Sequence, residues 1–429
     1  MRLETSSEQP ARRRRSLLSL GTRIAQAGLF VIAAFLPLSI VGAQLGFAAM
    51  LVGVAVAFAA GRRGLVPTEI VWPVAAFAAV CLLASFVSPV ELPWRSWIAW
   101  RPVLLALLVP AAVALFDDPE RAVRRALGLL LGAALFVAVL GVLQRDSGFD
   151  LNYALGLRKA PVRIESPSGQ GFAAVGTFNS RLTFAAIEAA IFVMALSLAF
   201  GARGLVRRLA PAAVAVACAL AVVSAYARAA WLGAFAGIAV LVLGMRRKAA
   251  LALAGVALLA AVAGAAVPSV RDRAISAVRT TANQDRLFIW SRAGEVLADH
   301  PVLGVGMQGY PIVAAPYYDK FDPHFPMRTW AHDMYFTLLL ETGPAGLLAY
   351  VWIFVAAAAL AFGALRSSRG PPLSAVRLGA LGAATSILVD SLFHDVLYDG
   401  EAAMTLFFFA GLAIVALGKR SAKEGEAGS

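Results

Sequence analysis

Apolar residues along the chain are grouped in long runs that are separated by short polar or basic segments. A run of about 20 apolar residues is long enough for a helix that crosses the hydrocarbon core of a bilayer. The pattern therefore predicts an all-α polytopic membrane protein with about twelve transmembrane helices. Pro37 and the polar segment Gly42-Ala43-Gln44 interrupt the first two runs, which we interpret as a helical hairpin rather than one long helix. The twelve runs lie near residues 26–42, 44–60, 70–87, 98–116, 126–143, 182–200, 209–224, 231–245, 249–267, 334–363, 378–393 and 401–417.

The composition agrees with this interpretation. Of the 429 residues, 60% are hydrophobic and 15% are charged, and the mean hydropathy is +0.77. A soluble domain is about half apolar and about a quarter charged, so the composition excludes a disordered chain and disfavours a water-soluble enzyme. Cys81 and Cys218 both lie inside apolar runs, which disfavours a disulfide framework or a cysteine metal site.

The net charge of +13 would suggest nucleic-acid binding in a soluble protein, but in a membrane protein it first reports orientation. Most basic residues cluster at the N-terminus and after even-numbered runs. By the positive-inside rule these clusters face the cytoplasm, which predicts cytoplasmic tails at residues 1–25 and 418–429. The clusters are Arg12–Arg15; Arg62 and Arg63; Arg121, Arg124 and Arg125; Arg203, Arg207 and Arg208; Arg246, Arg247 and Lys248; Arg366, Arg369 and Arg377; and Lys419, Arg420 and Lys423.

Two of the predicted non-cytoplasmic segments are long. A shorter periplasmic loop covers residues 144–181, within the region 26–267 that holds spans 1 to 9. A long periplasmic loop covers residues 268–332, between spans 9 and 10, and residues 333–417 hold spans 10 to 12. Connections of this length usually carry function.

Arg228 is the most informative single residue, because it lies in the short turn Ala225-Tyr-Ala-Arg-Ala-Ala-Trp-Leu-Gly233 between two apolar runs. A guanidinium near the hydrocarbon core of the membrane costs free energy unless it is paired, so an arginine there is a candidate functional residue by default. Its planar fork suits phosphate better than a lysine would. The alternative is an arginine that reaches the lipid headgroups, with Trp231 as an interface anchor.

Acidic residues and the remaining histidines give weaker signals. Asp390 and Asp395 flank Ser391-Leu-Phe-His394, which predicts a polar cluster near the outer end of the eleventh run, of either functional or structural importance. Glu188 is better explained as a structural pair between helices. His300 precedes a proline where a predicted helix stops, which favours a capping role, and His324 lies in an aromatic segment that could contact a sugar.

The segment 285–299 predicts an amphipathic helix on the membrane surface, since Leu287, Trp290, Gly294 and Leu297 recur at helical spacing. Asp299-His300-Pro301 and the glycines that follow it predict a loop.

His332-Asp333 is followed, after nine residues, by Gly343-Pro-Ala-Gly346. The tract from Arg286 to Gly346 resembles the signature of the O-antigen ligase/polymerase superfamily. In the ligase pattern, a histidine and a small polar residue are followed by nine residues of any type and a glycine. Two further residues then precede a glycine, threonine or tyrosine, and the spacing from His332 to Gly346 is similar to this pattern. Asp333 departs from it, because asparagine, serine or glutamine is usual at that position. Arg228-x3-Leu232 fits the family's Arg-x3-Leu pattern, whereas Arg286-x3-Trp290 ends in tryptophan.

The resemblance implies a GT-C-like architecture of about twelve transmembrane helices, with a long periplasmic loop between spans 9 and 10, in the bacterial inner membrane. It implies a glycosyltransferase of lipopolysaccharide biosynthesis whose donor is a glycan linked to undecaprenyl pyrophosphate. In ligases the acceptor is a sugar hydroxyl of lipid A-core. The donor already stores the energy of the reaction, so no nucleotide cofactor is expected.

The residues suit that chemistry. A departing pyrophosphate gains negative charge, which preplaced arginines stabilise, and a histidine titrates in the range of a general base. The alternative for the histidine is an interfacial residue that satisfies backbone groups. The predicted site comprises His332 as the base, Arg228, Arg286, Arg158, Arg163 and Arg181 for the pyrophosphate, and Asp333, Asp390 and Asp395 in support.

Several alternatives stay open at this point. A repeat-unit polymerase and a protein O-oligosaccharyltransferase belong to the same superfamily, and a lipid-linked glycan flippase or another transporter would also have many spans. Transporters usually show paired halves, whereas polarity here is concentrated in one late loop. The sequence holds no Asp-x-Asp motif, so we expect metal-independent, inverting transfer by single displacement.

Overall fold

Long helices account for most of the chain that the structure describes. The computed structural model of the protein describes residues 8–92, 101–166, 169–275, 284–318, 330–367 and 371–415. The helices that coincide with predicted spans 1 to 9 are α1 (Glu8–Phe35), α2 (Ile40–Ala59), α3 (Thr68–Phe86), α4 (Leu105–Ala114, after a 3-10 turn at Arg101–Leu104), α5 (Pro119–Ser147), α7 (Arg181–Gly201), α8 (Leu205–Ser224), α9 (Arg228–Gly244) and α10 (Arg247–Ala266). Those that coincide with spans 10 to 12 are α15 (Met334–Ser367), α16 (Pro371–Asp390) and α17 (Gly400–Ile414).

The remaining elements are short and lie in the two long predicted loops. They are α6 (Leu151–Ala154), β1 (Arg163–Ser166), β2 (Gly169–Phe172), α11 (Pro268–Ile275), α12 (Gln284–Asp299), α13 (Tyr310–Val313), α14 (Ala315–Tyr318) and a 3-10 turn at Val396–Tyr398 that precedes α17.

A multi-pass membrane protein is supported by the length and composition of these helices. Among the described residues, eight helices are long and apolar enough to cross a membrane, and three further apolar helices have 10–17 residues. Each of the twelve predicted runs overlaps one helix. The polytopic helical class is therefore confirmed, while the number of spans and their orientation stay predictions.

The first two helices form the expected hairpin, but with different ends. The chain reverses at residues 36–39, around Pro37, and α2 begins at Ile40 rather than after Gln44. The helices approach closely, because a side chain on Gly28 would place its Cβ atom 2.4 Å from the backbone nitrogen of Met50. Helix α1 already begins at Glu8, within the predicted tail 1–25, whose cytoplasmic location stays a prediction; residues 1–7 and 416–429 lie outside the described residues.

The predicted loop 144–181 has structure of its own. Helix α5 continues to Ser147, and β1 pairs antiparallel with β2, with Arg163 opposite Phe172. The buried Gln144 amide ties this segment to α5, because its oxygen accepts the backbone N–H of Gly176 at 2.7 Å and its nitrogen donates to the carbonyl of Gly176 at 2.8 Å. The hairpin is a small departure from the predicted all-α class.

The long segment 268–332 is also largely helical in its described parts. Helix α12 confirms the predicted helix, but its buried face is Ile289, Ala293 and Val296, and the predicted face residue Leu287 is 52% exposed. The buried face is therefore shifted by about one residue from the predicted apolar face. It packs on a small apolar cluster of the protein itself that includes Tyr310 and Leu340. His324 lies outside the described residues.

Helix α15 is broken at Gly343, which has φ 65° and ψ −174°. The break leaves carbonyl groups without helical partners, and Val305 and Gly306 donate their backbone N–H groups to the carbonyls of Leu340 and Glu341 at 3.0 and 2.9 Å. The Gly343-Pro344 motif is therefore the place where the long segment docks on α15.

One end of the helix bundle gathers the predicted outer connections, and we call it the motif end. Its described residues are 36–39, 87–92, 148–166, 169–180, 225–227, 268–275, 284–318, 330–333 and 391–399. These segments contact one another: Ser88 Oγ donates to the carbonyl of Val305 at 2.6 Å, and Thr177 Oγ1 to that of Pro37 at 3.4 Å.

Candidate active site

The turn between α8 and α9 is a meeting point for arginines from several helices. Tyr226 in this turn is buried and has a positive φ of 52°. Its carbonyl oxygen accepts hydrogen bonds from Arg181 Nη1 and from Arg273 Nε, both at 3.1 Å. Arg228 is the first residue of α9, so side chains from α7, α9 and α11 converge at one place.

Arg145 adds a fourth guanidinium to this turn. Its Nη2 atom donates to the hydroxyl of Tyr226 at 2.5 Å, and its Cζ atom lies 4.9 Å from the centroid of the Tyr226 ring. Arg145 and Arg273 were not predicted as site residues. Their sequence positions could have pointed to them, because both lie at predicted outer ends of spans, where the positive-inside rule disfavours basic residues.

The positive charges of arginines at this end of the bundle lower the pKa values of other arginines there. Burial, followed by the charges of Arg181 and Arg228, lowers the pKa of Arg273. Burial and the charge of Arg228 likewise lower the pKa of Arg286, although Asp395, Asp333 and Asp390 raise it. A guanidinium stays protonated in a protein despite such shifts. An anion bound among these arginines would therefore relieve their mutual repulsion.

Arg286 links the arginines to the predicted base. Its Nη1 atom donates to the carbonyl oxygen of His332 at 3.0 Å, and its Nη2 atom donates to that of Phe393 at 3.1 Å. One turn further along α12, Trp290 Nε1 donates to the carbonyl oxygen of Ala331 at 3.0 Å. The tryptophan at the end of Arg286-x3-Trp290 thus helps to hold the backbone that presents His332.

His332 has a constrained backbone and an accessible ring. Its φ of 54° is in the left-handed region, which costs a residue other than glycine about 1 kcal/mol. Its backbone N–H donates to Asp395 Oδ2 at 2.8 Å, and its ring Nδ1 lies 3.8 Å from the same oxygen. The side chain of His332 is 41% exposed, whereas that of Asp395 is 7% exposed. The ring can therefore meet a substrate while the buried carboxylate fixes the main chain behind it.

Asp395 is held in turn by α15. Its Oδ1 atom accepts the hydroxyl of Thr337 at 2.5 Å. Burial raises the pKa of Asp395, although the hydrogen bond from Thr337 and the charge of His332 act in the opposite direction.

Asp333 begins α15 as its N-cap. Its Oδ1 atom accepts the backbone N–H groups of Tyr335 and Phe336 at 3.0 and 3.1 Å. Asparagine and serine, which are usual at this position of the ligase pattern, are equally good N-cap residues. The departure at Asp333 therefore keeps the local structure that the motif requires.

Residues 213–351 match the model of a protein family described as O-antigen ligase. This match supports membership of the O-antigen ligase superfamily. The matched region includes Arg228, Arg286 and His332 and ends beyond Gly346, whereas Arg145, Arg181 and Asp395 lie outside it. No curated protein matches the chain. The matched family is one of glycan ligases and polymerases, and it implies lipid-linked glycans as the general class of substrate.

The other arginines of the predicted site are not all brought together at the Tyr226 turn. Arg181 is at the Tyr226 turn, as described above. Arg158 forms an ion pair with Asp150 and also donates to the carbonyl of Phe178, and its side chain is 11% exposed. Arg163 is exposed at the start of β1, with its Cζ atom 5.6 Å from the ring centroid of Phe172. Both arginines make these contacts within residues 148–180, and their role at the pyrophosphate stays a prediction.

The predicted cluster of Asp390 and Asp395 divides into two. Asp395 holds the backbone of His332, whereas Asp390 Oδ2 lies 3.0 Å from Nδ1 of His394. His300 follows the last residue of α12, and its backbone N–H donates to the carbonyl of Val296 at 3.1 Å, in agreement with the predicted cap.

Within the ranges that the structure describes, no group of three or more His, Cys, Asp or Glu side chains is arranged to hold a metal ion. Whether the superfamily chemistry proceeds here without a metal stays a prediction.

Proposed function

We propose that the protein is an O-antigen ligase. It transfers a polysaccharide from undecaprenyl pyrophosphate to a sugar hydroxyl of lipid A-core, at the periplasmic face of the bacterial inner membrane. The observation that supports this proposal is the hydrogen bond of 3.0 Å from the Arg286 guanidinium to the His332 carbonyl, at a place where the charge of Arg228 also acts on Arg286.

The arginines suit the donor. As the glycosidic bond breaks, the pyrophosphate gains negative charge, and guanidinium groups already in place stabilise that charge without reorganisation. Arg228 also lies at the first turn of α9, whose N-terminal amide groups and dipole favour an anion. Arg145, Arg181 and Arg273 extend the positive field around the same turn.

His332 suits the acceptor. Its exposed ring takes the proton of the acceptor hydroxyl while the acceptor oxygen forms a bond to the anomeric carbon. In the same step the bond from that carbon to the pyrophosphate oxygen breaks, and the electron pair leaves with the pyrophosphate. The carboxylate of Asp395, 3.8 Å from the ring, stabilises the imidazolium that results. A single displacement of this kind inverts the anomeric configuration.

The proposal is tested by giving the purified, reconstituted protein two acceptors in one reaction. Undecaprenyl-pyrophosphate glycan is supplied with rough lipopolysaccharide, in excess chelator, and the products are separated on a gel. A ligase produces a ladder on lipopolysaccharide, whereas a polymerase of the same superfamily lengthens the lipid-linked glycan instead. Loss of the ladder in chelator, with recovery in magnesium or manganese, would contradict the metal-independent mechanism.

A further inference from the structure

His394 is buried between two carboxylates that belong to different helices. Its Nδ1 atom lies 3.0 Å from Oδ2 of Asp390, the last residue of α16, and its Nε2 atom lies 3.1 Å from Oδ2 of Asp399. The side chains of His394, Asp390 and Asp399 are 12%, 3% and 13% exposed. Asp399 is the N-cap of α17, where its Oδ1 atom accepts the N–H of Ala402 at 3.2 Å, and its Oδ2 atom also accepts the hydroxyl of Thr183 on α7.

The geometry requires a charged ring. Both ring nitrogens face a carboxylate oxygen, and a neutral imidazole has only one N–H to donate. Burial by itself lowers the pKa of His394, but the hydrogen bonds and charges of Asp390 and Asp399 raise it to about 10. Burial alone would raise the pKa of Asp399, but the hydrogen bond and the charge of His394 hold it below its usual value. His394 is therefore an imidazolium that joins α16, α17 and α7 at neutral pH.

The residues on either side of His394 are the ones that hold the candidate active site. The carbonyl of Phe393 accepts Arg286 at 3.1 Å, and the carboxylate of Asp395 accepts the N–H of His332 at 2.8 Å. Ser391, three residues earlier, accepts the N–H of Met334 at 2.9 Å. Any movement of His394 would therefore displace the hydrogen-bond partners of both Arg286 and His332.

We propose that His394 is a positioning residue, whose two ion pairs fix the segment 391–395 so that Asp395 and the Phe393 carbonyl hold His332 and Arg286 in their reacting arrangement. This inference rests on the proposed function for its catalytic consequence. It assigns no contact between His394 and the substrate, because the ring is enclosed by Asp390 and Asp399.

The test uses His394→Gln in the full-length, reconstituted protein, with His300→Gln as the control. Glutamine fills a similar volume, but its single amide nitrogen replaces the two ring nitrogens, so one carboxylate loses its partner. Hydrogen–deuterium exchange over residues 330–337 should become at least about tenfold faster, because the His332 amide loses its fixed acceptor. The transfer kcat should fall about tenfold to a hundredfold with the donor KM unchanged. The control, at the end of α12, should change neither quantity.

A double mutant separates positioning from general damage. If His394 acts partly through Asp395, then the loss of transfer in His394→Gln combined with Asp395→Asn should be clearly smaller than the product of the two single fold-losses. Additive losses, or unchanged exchange and unchanged kcat in His394→Gln, would overturn the proposal. Should His394→Gln fail to fold, Thr183→Val, which removes only one hydrogen bond to Asp399, is expected to accelerate the same exchange to a smaller extent, and unchanged exchange there would also overturn it. If the wild type makes no lipopolysaccharide ladder, the proposed function fails, and the exchange measurement still decides the role of His394.

Discussion

The guanidinium of Arg286 donates a hydrogen bond to the carbonyl oxygen of His332 at 3.0 Å, although 46 residues separate the two in the chain. The contact joins the candidate phosphate ligand to the candidate base. It also explains why a positive-φ histidine is tolerated, since its carbonyl and its N–H both have fixed partners in Arg286 and Asp395. A change at either residue is therefore expected to affect the other.

Arg286→Lys should reduce transfer about a hundredfold, although the charge is kept. One ammonium group lacks the fork with which Arg286 reaches the carbonyls of His332 and Phe393 together. The measurement is the initial rate of ladder formation. Arg292→Lys, on the same helix, is the matched control and should stay near the wild-type rate; equal rates for the two variants would show that the Arg286 fork is unimportant.

Arg228→Lys tests phosphate recognition separately from His332. If Arg228 binds the pyrophosphate through its planar fork, lysine should not rescue it, and transfer should fall about tenfold or more. Arg271→Lys, in the exposed part of α11, supplies the control. A lysine variant with wild-type transfer would favour the alternative in which Arg228 only reaches lipid headgroups.

Gly343→Ala should destabilise the protein by about 1–3 kcal/mol, because its φ of 65° and ψ of −174° fall in a region that is essentially restricted to glycine. The added Cβ atom would also lie 2.0 Å from the carbonyl oxygen of Val302. The midpoint of thermal unfolding in detergent measures the effect. Gly363→Ala, in the second half of the same helix, meets no atom within 4 Å and should leave the midpoint nearly unchanged or raise it. Equal midpoints for the two variants would refute the docking role of the motif.

The His394 ion pairs predict a pH dependence of stability. The pKa of His394 is about 10 in the folded protein, above its ordinary value of 6.5, so the folded state binds this proton more tightly than the unfolded state. The stabilisation is fully present below about pH 6.5 and is lost as the pH rises through about 10. The difference in unfolding midpoint between wild type and His394→Gln should therefore shrink steadily from pH 6.5 to pH 10. A constant difference over this window would contradict the charged ring.

Much of the helical fold could be predicted from hydropathy, because each span consists of consecutive apolar residues. The ends of the helices were harder to predict. Helix α1 already begins at Glu8 and includes Arg12–Arg15, and the Arg14 Nε atom donates to the carbonyl of Ala60 at 2.7 Å. No local pattern distinguishes such a helix extension from a free basic tail.

The site shows the same division between local and long-range information. Arg228, Arg286 and His332 could be found because they lie in motifs with characteristic spacing. The contacts of Arg158 could not be predicted, since its partner Asp150 is revealed only when the segment 148–180 folds. The roles of Arg273 and His394 depend on contacts between distant segments, which a single sequence does not encode as spacing.

The most direct test of the proposed mechanism is ladder formation by His332→Ala beside wild type, in membranes of defined lipid with undecaprenyl-pyrophosphate glycan and rough lipopolysaccharide. His300→Ala controls for loss of a histidine elsewhere in the same segment. We expect a ladder from wild type and from His300→Ala, and a loss of about a hundredfold or more in His332→Ala. No ladder from wild type, or equal ladders from wild type and His332→Ala, would contradict it.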